Sequence, residues 1–352
     1  MSVSPHFVYA ENAVLTTAAR EKLAVTTLDN PIIQMVAPID RVDAASVNWE
    51  VKDDIRGLME ARMLNSEFPT IQRTGLKRFQ MSPSYYGESI VITEDRLTLG
   101  RQAGTFGNAI DITAIQADDQ DQLLNRAIDR ITNVISEFAR TGKYYVFLDG
   151  RSILAQQFTI QTFASTIPVS TVATATPLAD IRKMQTDFGT GNSASFGANA
   201  RILLNRSTMN TILSNTNAGD LGRFMTLNGT PSAFPMTDVG LNKYLSSQGL
   251  PEFVVYQGAY LDENGVAQVH IPDGKAIVIG VRPDGATPMR YTFTRNTNNM
   301  VTSGGQFNSE SISDLYYSFE FKANPVRGIS TMGFNGGIVV PHPRAFISWS
   351  LY

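Results

Sequence analysis

Apolar side chains recur at helical spacing in one long segment, residues 112–141. Five of them are separated by four, three, four and three positions: Leu124, Ile128, Ile131, Ile135 and Phe138. This spacing places them on one face of an α-helix. Thr113 and Gln116 fit a capping box at its start, and Gly142 is expected to end it. The stripe lasts about two heptads, which favours a core face over a coiled-coil seam. We therefore expect this helix to lie across a sheet.

Helix and strand patterns alternate over residues 178–281, which predicts a compact α/β unit. The segment RILLN (201–205) is expected to be a buried strand because it is short and almost entirely apolar. Ser207 is expected to cap a short helix, and Thr237 or Asp238 is expected to cap another.

The stretch GAYLDENGVAQVHIPDGKAIVIG (258–280) could be an acidic metal loop or a tightly turned piece of sheet. A calcium loop needs acids at alternate positions and a glutamate at the twelfth, and this stretch lacks that spacing. Asn264-Gly265 instead predicts a two-residue type I′ hairpin turn, and Pro272-Asp273-Gly274 predicts a second turn. The run KAIVIGV (275–281) is expected to be a strand buried on both faces. The stretch therefore predicts a β-meander whose acids serve turns.

An unusual segment follows the predicted strand VNWEV (47–51). Residues 52–65 could form a short helix, but residues 66–87 contain two prolines and two glycines and are too long for an ordinary connection. We therefore expect a functional excursion or an arm. Residues 61–82 carry four basic and one acidic side chain, whereas residues 1–60 carry five basic and nine acidic ones. These charges suit pairing between copies of the chain, and they equally suit a solvated loop.

Composition narrows the classes of function. The 352 residues suffice for one large domain or two modest ones, and 43% apolar with 17% charged residues is typical of a globular protein. A net charge of −3 argues against a surface specialised for binding nucleic acid. The absence of cysteine excludes disulfides, thiolate nucleophiles and cysteine-ligated zinc, and it favours folding in a reducing cytoplasm. No apolar run approaches about 18 residues, so no membrane span is expected.

The sequence shows no recognisable catalytic or cofactor motif. Its three histidines, His6, His270 and His342, are far apart, and we expect them to be surface or packing residues. Nucleotide-binding glycine loops, H-E-x-x-H and G-x-S-x-G are all missing. We therefore predict no catalytic, cofactor-binding or metal-binding residue, and an enzyme with an unfamiliar site remains an alternative.

Three stretches, arranged around the long helix, resemble a known family. They are MSPSYYGESIVITEDRLTLGR (81–101), YQGAYLDENGVAQVHIPDGKAIVIG (256–280) and FEFKANPVRGISTMGFNGGIVVPHPRAFISW (319–349). In order and pattern they are similar to the lambda-type (family E) major capsid proteins of tailed bacteriophages, which have the Hong Kong 97 fold. The resemblance implies an α+β fold with an N-terminal arm, an extended E-loop, a peripheral domain containing a long spine helix, and an α/β axial domain.

The resemblance also implies how these parts divide the chain. The expected parts are an arm at 1–46, an E-loop at 47–95, a peripheral domain at 96–177 with the spine helix at about 112–141, an axial domain at 178–288, and returning peripheral strands at 289–352. Contacts between subunits are expected from the E-loop, and the candidate residues are Arg73, Lys77, Arg78 and Phe79.

The function implied is that of a major head protein. Copies would assemble into hexamers and pentamers of an icosahedral shell that encloses double-stranded DNA. Assembly would take place in the host bacterial cytoplasm, and the chain would be part of the virion. The implied partners are other copies of the chain, a separate scaffolding protein, a portal, a decoration protein, and packaged DNA bound without sequence specificity; no cofactor or membrane is implied. An encapsulin-like nanocompartment is the first alternative. A β-rich adhesin or tail protein is another, against which the long helix counts.

Overall fold

The computed structural model describes most of the chain. The described residues are 7–8, 12–52, 76–99, 110–148, 151–170, 175–189, 194–215, 237–262, 265–296, 313–323 and 326–352. The α-helices within them are α1 (Asn12–Asp29), α2 (Glu94–Leu99), α3 (Thr113–Thr141), α4 (Pro177–Gly189), α5 (Arg206–Ser214) and α6 (Asp238–Ser247). A π-helical turn covers Ile32–Val36, and a 3₁₀ turn covers Pro343–Ala345.

The strands are numbered in chain order. The first nine are β1 (Phe7–Val8), β2 (Ile39–Arg41), β3 (Val47–Lys52), β4 (Leu76–Met81), β5 (Ser84–Ile92), β6 (Ile110–Asp111), β7 (Lys143–Leu148), β8 (Arg151–Gln157) and β9 (Gln161–Ala164). The remaining nine are β10 (Arg201–Leu204), β11 (Glu252–Val255), β12 (Ala259–Leu261), β13 (Ala267–Val269), β14 (Lys275–Ile279), β15 (Arg290–Phe293), β16 (Tyr316–Ala323), β17 (Val326–Val339) and β18 (Phe346–Ser350).

The long helix α3 confirms the strongest prediction from the sequence. Its five stripe residues, from Leu124 to Phe138, are all buried in the larger core. Gly142 adopts φ +70° and donates its amide to the carbonyl of Phe138 at 2.7 Å, so it ends the helix as predicted. The capping box is wrong, because Thr113 is already helical and the preceding residue, Ile112, makes no side-chain cap. Ile112 is fully buried, so core packing rather than a polar cap sets the helix start.

The larger core lies between α3 and a mixed sheet of order β16-β17-β15-β2. Strand β5 pairs antiparallel with β17 along nine residues, from Ser84 to Ile92. This part of the segment expected to be E-loop therefore belongs to the sheet. The predicted strand at 47–51 is confirmed as β3, whereas the helix expected at 52–65 falls almost entirely outside the described residues.

Helix α1 packs along the outer edge of β16 of the same chain. Asn12, Thr16 and Arg20, spaced one turn apart, hydrogen-bond to alternate residues along β16 and to the residue just before it. The Asn12 amide exchanges two hydrogen bonds with the backbone of Phe319, at 2.8 and 3.3 Å. Thr16 donates to the carbonyl of Tyr317 at 2.8 Å, and Arg20 donates to that of Leu315 at 2.9 Å. These side chains cover a strand edge that would otherwise be free to pair with another chain.

The second core surrounds a sheet of order β11-β10-β14-β18-β9, against which α4, α5 and α6 pack. Strand β14 lies between β10 and β18 and is buried almost throughout, as predicted for KAIVIGV. Strands β9 and β18 come from segments expected to be peripheral, yet they complete this sheet. Trp349 of β18 is fully buried in this core, which explains why the C-terminal strand joins it.

Of the two helix caps predicted for residues 178–281, one is confirmed and the other is wrong. Thr237 caps α6, since its hydroxyl accepts from the amide of Gly240 at 3.2 Å. The prediction of Ser207 as the cap of α5 is wrong. Asn205 performs that role, accepting from the amide of Thr208 at 2.8 Å. The side-chain amide nitrogen of Asn205 donates to the carbonyl of Ile271 at 3.0 Å, and this tertiary contact orients the cap.

Candidate assembly surfaces

The base of the predicted E-loop is a hairpin of β3 and β4. Lys52 and Leu76 are directly opposite each other, so the chain leaves and returns at one place around residues 53–75. The hairpin is anchored by aromatic stacking, with the ring of Phe79 5.9 Å from that of Trp49 and 4.8 Å from that of Phe158. Trp49 also donates its indole N–H to the carbonyl of Val340 at 3.0 Å. The base is therefore firmly tied to the larger core.

The structure brings three of the four candidate contact residues together on β4. Lys77 and Arg78 are exposed, and Arg78 forms an ion pair with Glu50 of the adjacent strand at 2.7 Å. Phe79 is half-buried against its own core. Arg73 lies outside the described residues. Lys77 is therefore exposed and forms no ion pair with the described part of the chain, whereas Phe79 anchors the hairpin from within.

Sequence reasoning missed the outer face of α1. Val14, Val25 and Leu28 are exposed there by 60%, 63% and 66%. Their spacing of eleven and three positions is helical, so the signal was present. The sequence predicts an arm over residues 1–46, whereas α1 packs on the sheet of its own chain.

Within the stretch at 258–280, β12 and β13 pair as a small two-stranded ribbon, and β14 belongs to the five-stranded sheet. Asp262 pairs with Val266, and the Gly265 amide donates to the carbonyl of Asp262 at 2.9 Å with Gly265 at φ +75°. The hairpin is confirmed, but the two-residue type I′ turn is wrong, since such a turn would make residue 263 the partner of Val266. The Asp262 carboxylate accepts from the Val266 amide at 2.8 Å, which favours the longer turn.

The described acids of this region lie in turns, as predicted, and they also form hydrogen bonds and an ion pair. Asp273 accepts hydrogen bonds from Asn205 and from Ser207, the latter at 3.2 Å, and Gly274 completes its turn at φ +71°. In the next turn, Arg282 binds Asp284 and holds the pKa of that carboxyl well below its usual range. Within the described ranges, no three acidic, histidine or cysteine side chains converge as metal ligands would.

His270 is a packing residue of the ribbon, as predicted. It is buried, with its ring 4.9 Å from that of Tyr260 and 5.8 Å from that of Tyr256. Its Nε2 lies 3.9 Å from a carboxylate oxygen of Asp129 on α3. His342 contacts Arg282 at 3.1 Å, while His6 lies outside the described residues. The histidines are not brought together into a site by the described part of the chain.

A buried polar cluster joins α2, α3 and the main sheet. Asp119 accepts from the hydroxyl of Ser330 at 3.1 Å, and Ser330 accepts from Tyr317 at 3.0 Å. Arg96 approaches the other carboxylate oxygen at 3.9 Å. Burial raises the pKa of Asp119 and raises that of Tyr317 to about 12. The adjacent acids Asp118 and Asp119 thus lie in different environments, since the first is exposed and the second is buried.

Solved structures with a similar architecture include a phage-related protein, a prophage protein and a phage capsid. A phage-related protein from Bordetella bronchiseptica RB50 is 10% identical with a TM-score of 0.57, over 97% of this chain and 98% of that one. A protein assigned as the capsid protein of an E. coli CFT073 prophage is 14% identical with a TM-score of 0.58, over 98% of this chain and 100% of that one. The capsid of Myoviridae phage XM1 is 10% identical with a TM-score of 0.50, over 91% of each chain. No curated protein matches the chain by sequence.

The fold is therefore the Hong Kong 97-type fold of viral shell subunits. The family model for phage major capsid protein E matches residues 17–309, and the chain belongs to that family. It is a major capsid protein that associates with its own copies in the shell of a phage virion. In the portion of the chain that the structure describes, no helix is long and apolar enough to span a membrane.

Proposed function

We propose that the chain builds an icosahedral shell of hexamers and pentamers around packaged double-stranded DNA, without catalytic activity of its own. The observation that supports this most directly is the family match over residues 17–309. The net charge of −3 is compatible with a shell that encloses DNA without sequence-specific contacts. A separate scaffolding protein, a portal and a decoration protein belong to the same proposal.

Co-expression of the chain with its neighbouring genes tests this proposal. The expected product is closed particles that contain nuclease-protected DNA when the packaging genes are present. Particles that enclose a protein cargo and never DNA would instead support the nanocompartment alternative. A chain that remains monomeric under all these conditions would contradict both kinds of shell.

We further propose that the E-loop binds a neighbouring subunit through its basic side chains. The base at β3 and β4 is anchored by Trp49 and Phe79, so residues 53–75 start and end beside an exposed Lys77. An anchored base lowers the entropy that an extended segment loses on binding. Arg73 and Lys77 would meet acidic side chains of the neighbour, and the attraction would weaken with salt.

The variant Arg73→Glu with Lys77→Glu tests this contact. We expect particle yield to fall by at least about tenfold because like charges would oppose each other in the interface. Melting of the unassembled subunit should stay unchanged. A matched control is Arg182→Glu with Lys183→Glu, which makes the same charge change at exposed positions of α4. Normal yield from the Arg73 and Lys77 variant would contradict the contact.

A further inference from the structure

The ribbon of β12 and β13 has a chemically unusual outer face. Cross-strand partners share a face, and the two pairs on this face are Ala259 with Val269 and Leu261 with Ala267. All four residues are exposed, Leu261 by 66% and Val269 by 45%. An antiparallel ribbon in water normally shows polar residues on its solvated face. Here that face carries no charge and no hydrogen-bonding side chain.

The opposite face of the ribbon is tied to the subunit's own core. The ring of Tyr260 packs against that of buried His270, and His270 lies beside Asp129 of α3. Tyr256, just before the ribbon, contacts the side chain of Asn30 at 3.5 Å. The face of the ribbon that carries Tyr260 is therefore held against α3. The opposite, apolar face consequently has a fixed orientation. A preorganised surface loses little entropy when it is covered.

The apolar surface is limited to the four residues of this outer face, because Val266 pairs with Asp262 and therefore lies on the opposite face of the ribbon. The side chains of this surface offer neither cations for phosphate groups nor polar groups for a base or a sugar. The chemistry therefore selects an apolar protein surface and excludes packaged DNA as the occupant.

We propose that this outer face, formed by Ala259, Leu261, Ala267 and Val269, is covered by a second copy of the chain in the assembled shell. The inference rests on the proposed shell-forming function, in which every copy is surrounded by others. A stable isolated dimer needs about 800 Å² from each partner. One leucine, one valine and two alanines supply much less, so this contact would add to others in a shell rather than hold a dimer alone.

Charge on the outer face tests the proposal. The variant Leu261→Lys with Val269→Lys is expected to lower particle yield at least about tenfold, because unpaired ammonium groups would be desolvated in the contact. Gln268→Lys is the matched control, since Gln268 lies on the opposite face of the same ribbon and already contacts Asp262. It should assemble within about twofold of wild type, as expected of a solvated charge. Normal yield from the double variant would overturn the inference.

Single cysteines provide a second readout that does not depend on tolerance of charge. The chain has no cysteine, so Leu261→Cys introduces a unique thiol. Its rate of maleimide labelling should fall at least about tenfold in shells relative to unassembled subunits of the same variant, as expected of a thiol moved into a packed contact. Equal rates would overturn the inference. Protection that requires another phage protein would also overturn it, by assigning the face to that partner.

The two proposals fail in different ways. If wild-type chain forms no shells, the proposed function fails and this inference falls with it. If wild-type shells form and the ribbon variants assemble and label as unassembled subunits do, only the inference fails. Melting of the unassembled variants separates loss of contact from loss of fold, and the cysteine variant decides the question if the lysine variant does not fold.

Discussion

Asp119 illustrates how single residues of α3 depart from the ordinary behaviour of their type. Its carboxyl is fully buried, and its nearest cationic group, on Arg96, is 3.9 Å away. Desolvation is the main cause of its raised pKa. The effect of desolvation is larger than that of the Ser330 hydrogen bond, which lowers the pKa. A native pKa above the unfolded value means that this group stabilises the fold below the unfolded pKa. That contribution is lost as pH rises through the native pKa.

We therefore predict that Asp119→Asn raises the melting temperature of the unassembled subunit by a few degrees at pH 7. The asparagine oxygen can still accept from Ser330 without the cost of a buried charge. The difference from wild type should shrink as pH falls below the unfolded pKa of about 3.9, because the carboxyl then becomes protonated in both states. Thermal unfolding at several pH values measures it, with exposed Asp187→Asn as the control. A lower melting temperature at pH 7 would show that the Arg96 contact outweighs burial.

At the scale of elements, α3 was predictable and the caps were not. The stripe of α3 repeats over many residues, so its period survives any local exception. A cap depends on one or two side chains whose orientation is set by distant parts of the chain. Asn205 caps α5 because the carbonyl of Ile271 holds its amide, and this contact is invisible in the local sequence. Ile112 likewise sets the start of α3 through burial.

The apolar face of α3 leads to a prediction about folding. Ile131 is fully buried at the centre of the stripe, so Ile131→Asp would place an unpaired charge in the larger core. We expect this variant to be insoluble or unfolded, as followed by circular dichroism and solubility. Asn125→Asp, at an exposed position of the same helix, should fold normally. A soluble Ile131→Asp chain that still assembles would contradict the position of α3 in the core.

At the scale of the whole molecule, the sequence predicted the fold class and family but not the pairing of distant strands. The order of elements pointed to a Hong Kong 97-type capsid subunit, and the family match confirms it. The chain order could not reveal that β18 and β9 complete the sheet around β14, because those pairings join residues far apart in sequence. Nor could it reveal that α1 covers the edge of β16. Assembly surfaces such as the ribbon depend on burial, which only the folded chain defines.

The most direct measurement is cryo-electron microscopy of particles assembled from the full chain. The shell-forming function predicts closed icosahedral particles in which copies cluster as hexamers and pentamers. Lys77 should face a neighbouring subunit, and the outer face of the ribbon should be covered by another copy. Filaments, open sheets or isolated monomers under conditions that provide the neighbouring gene products would contradict the proposed function. A closed shell with Lys77 facing solvent would retain the shell but contradict the E-loop contact.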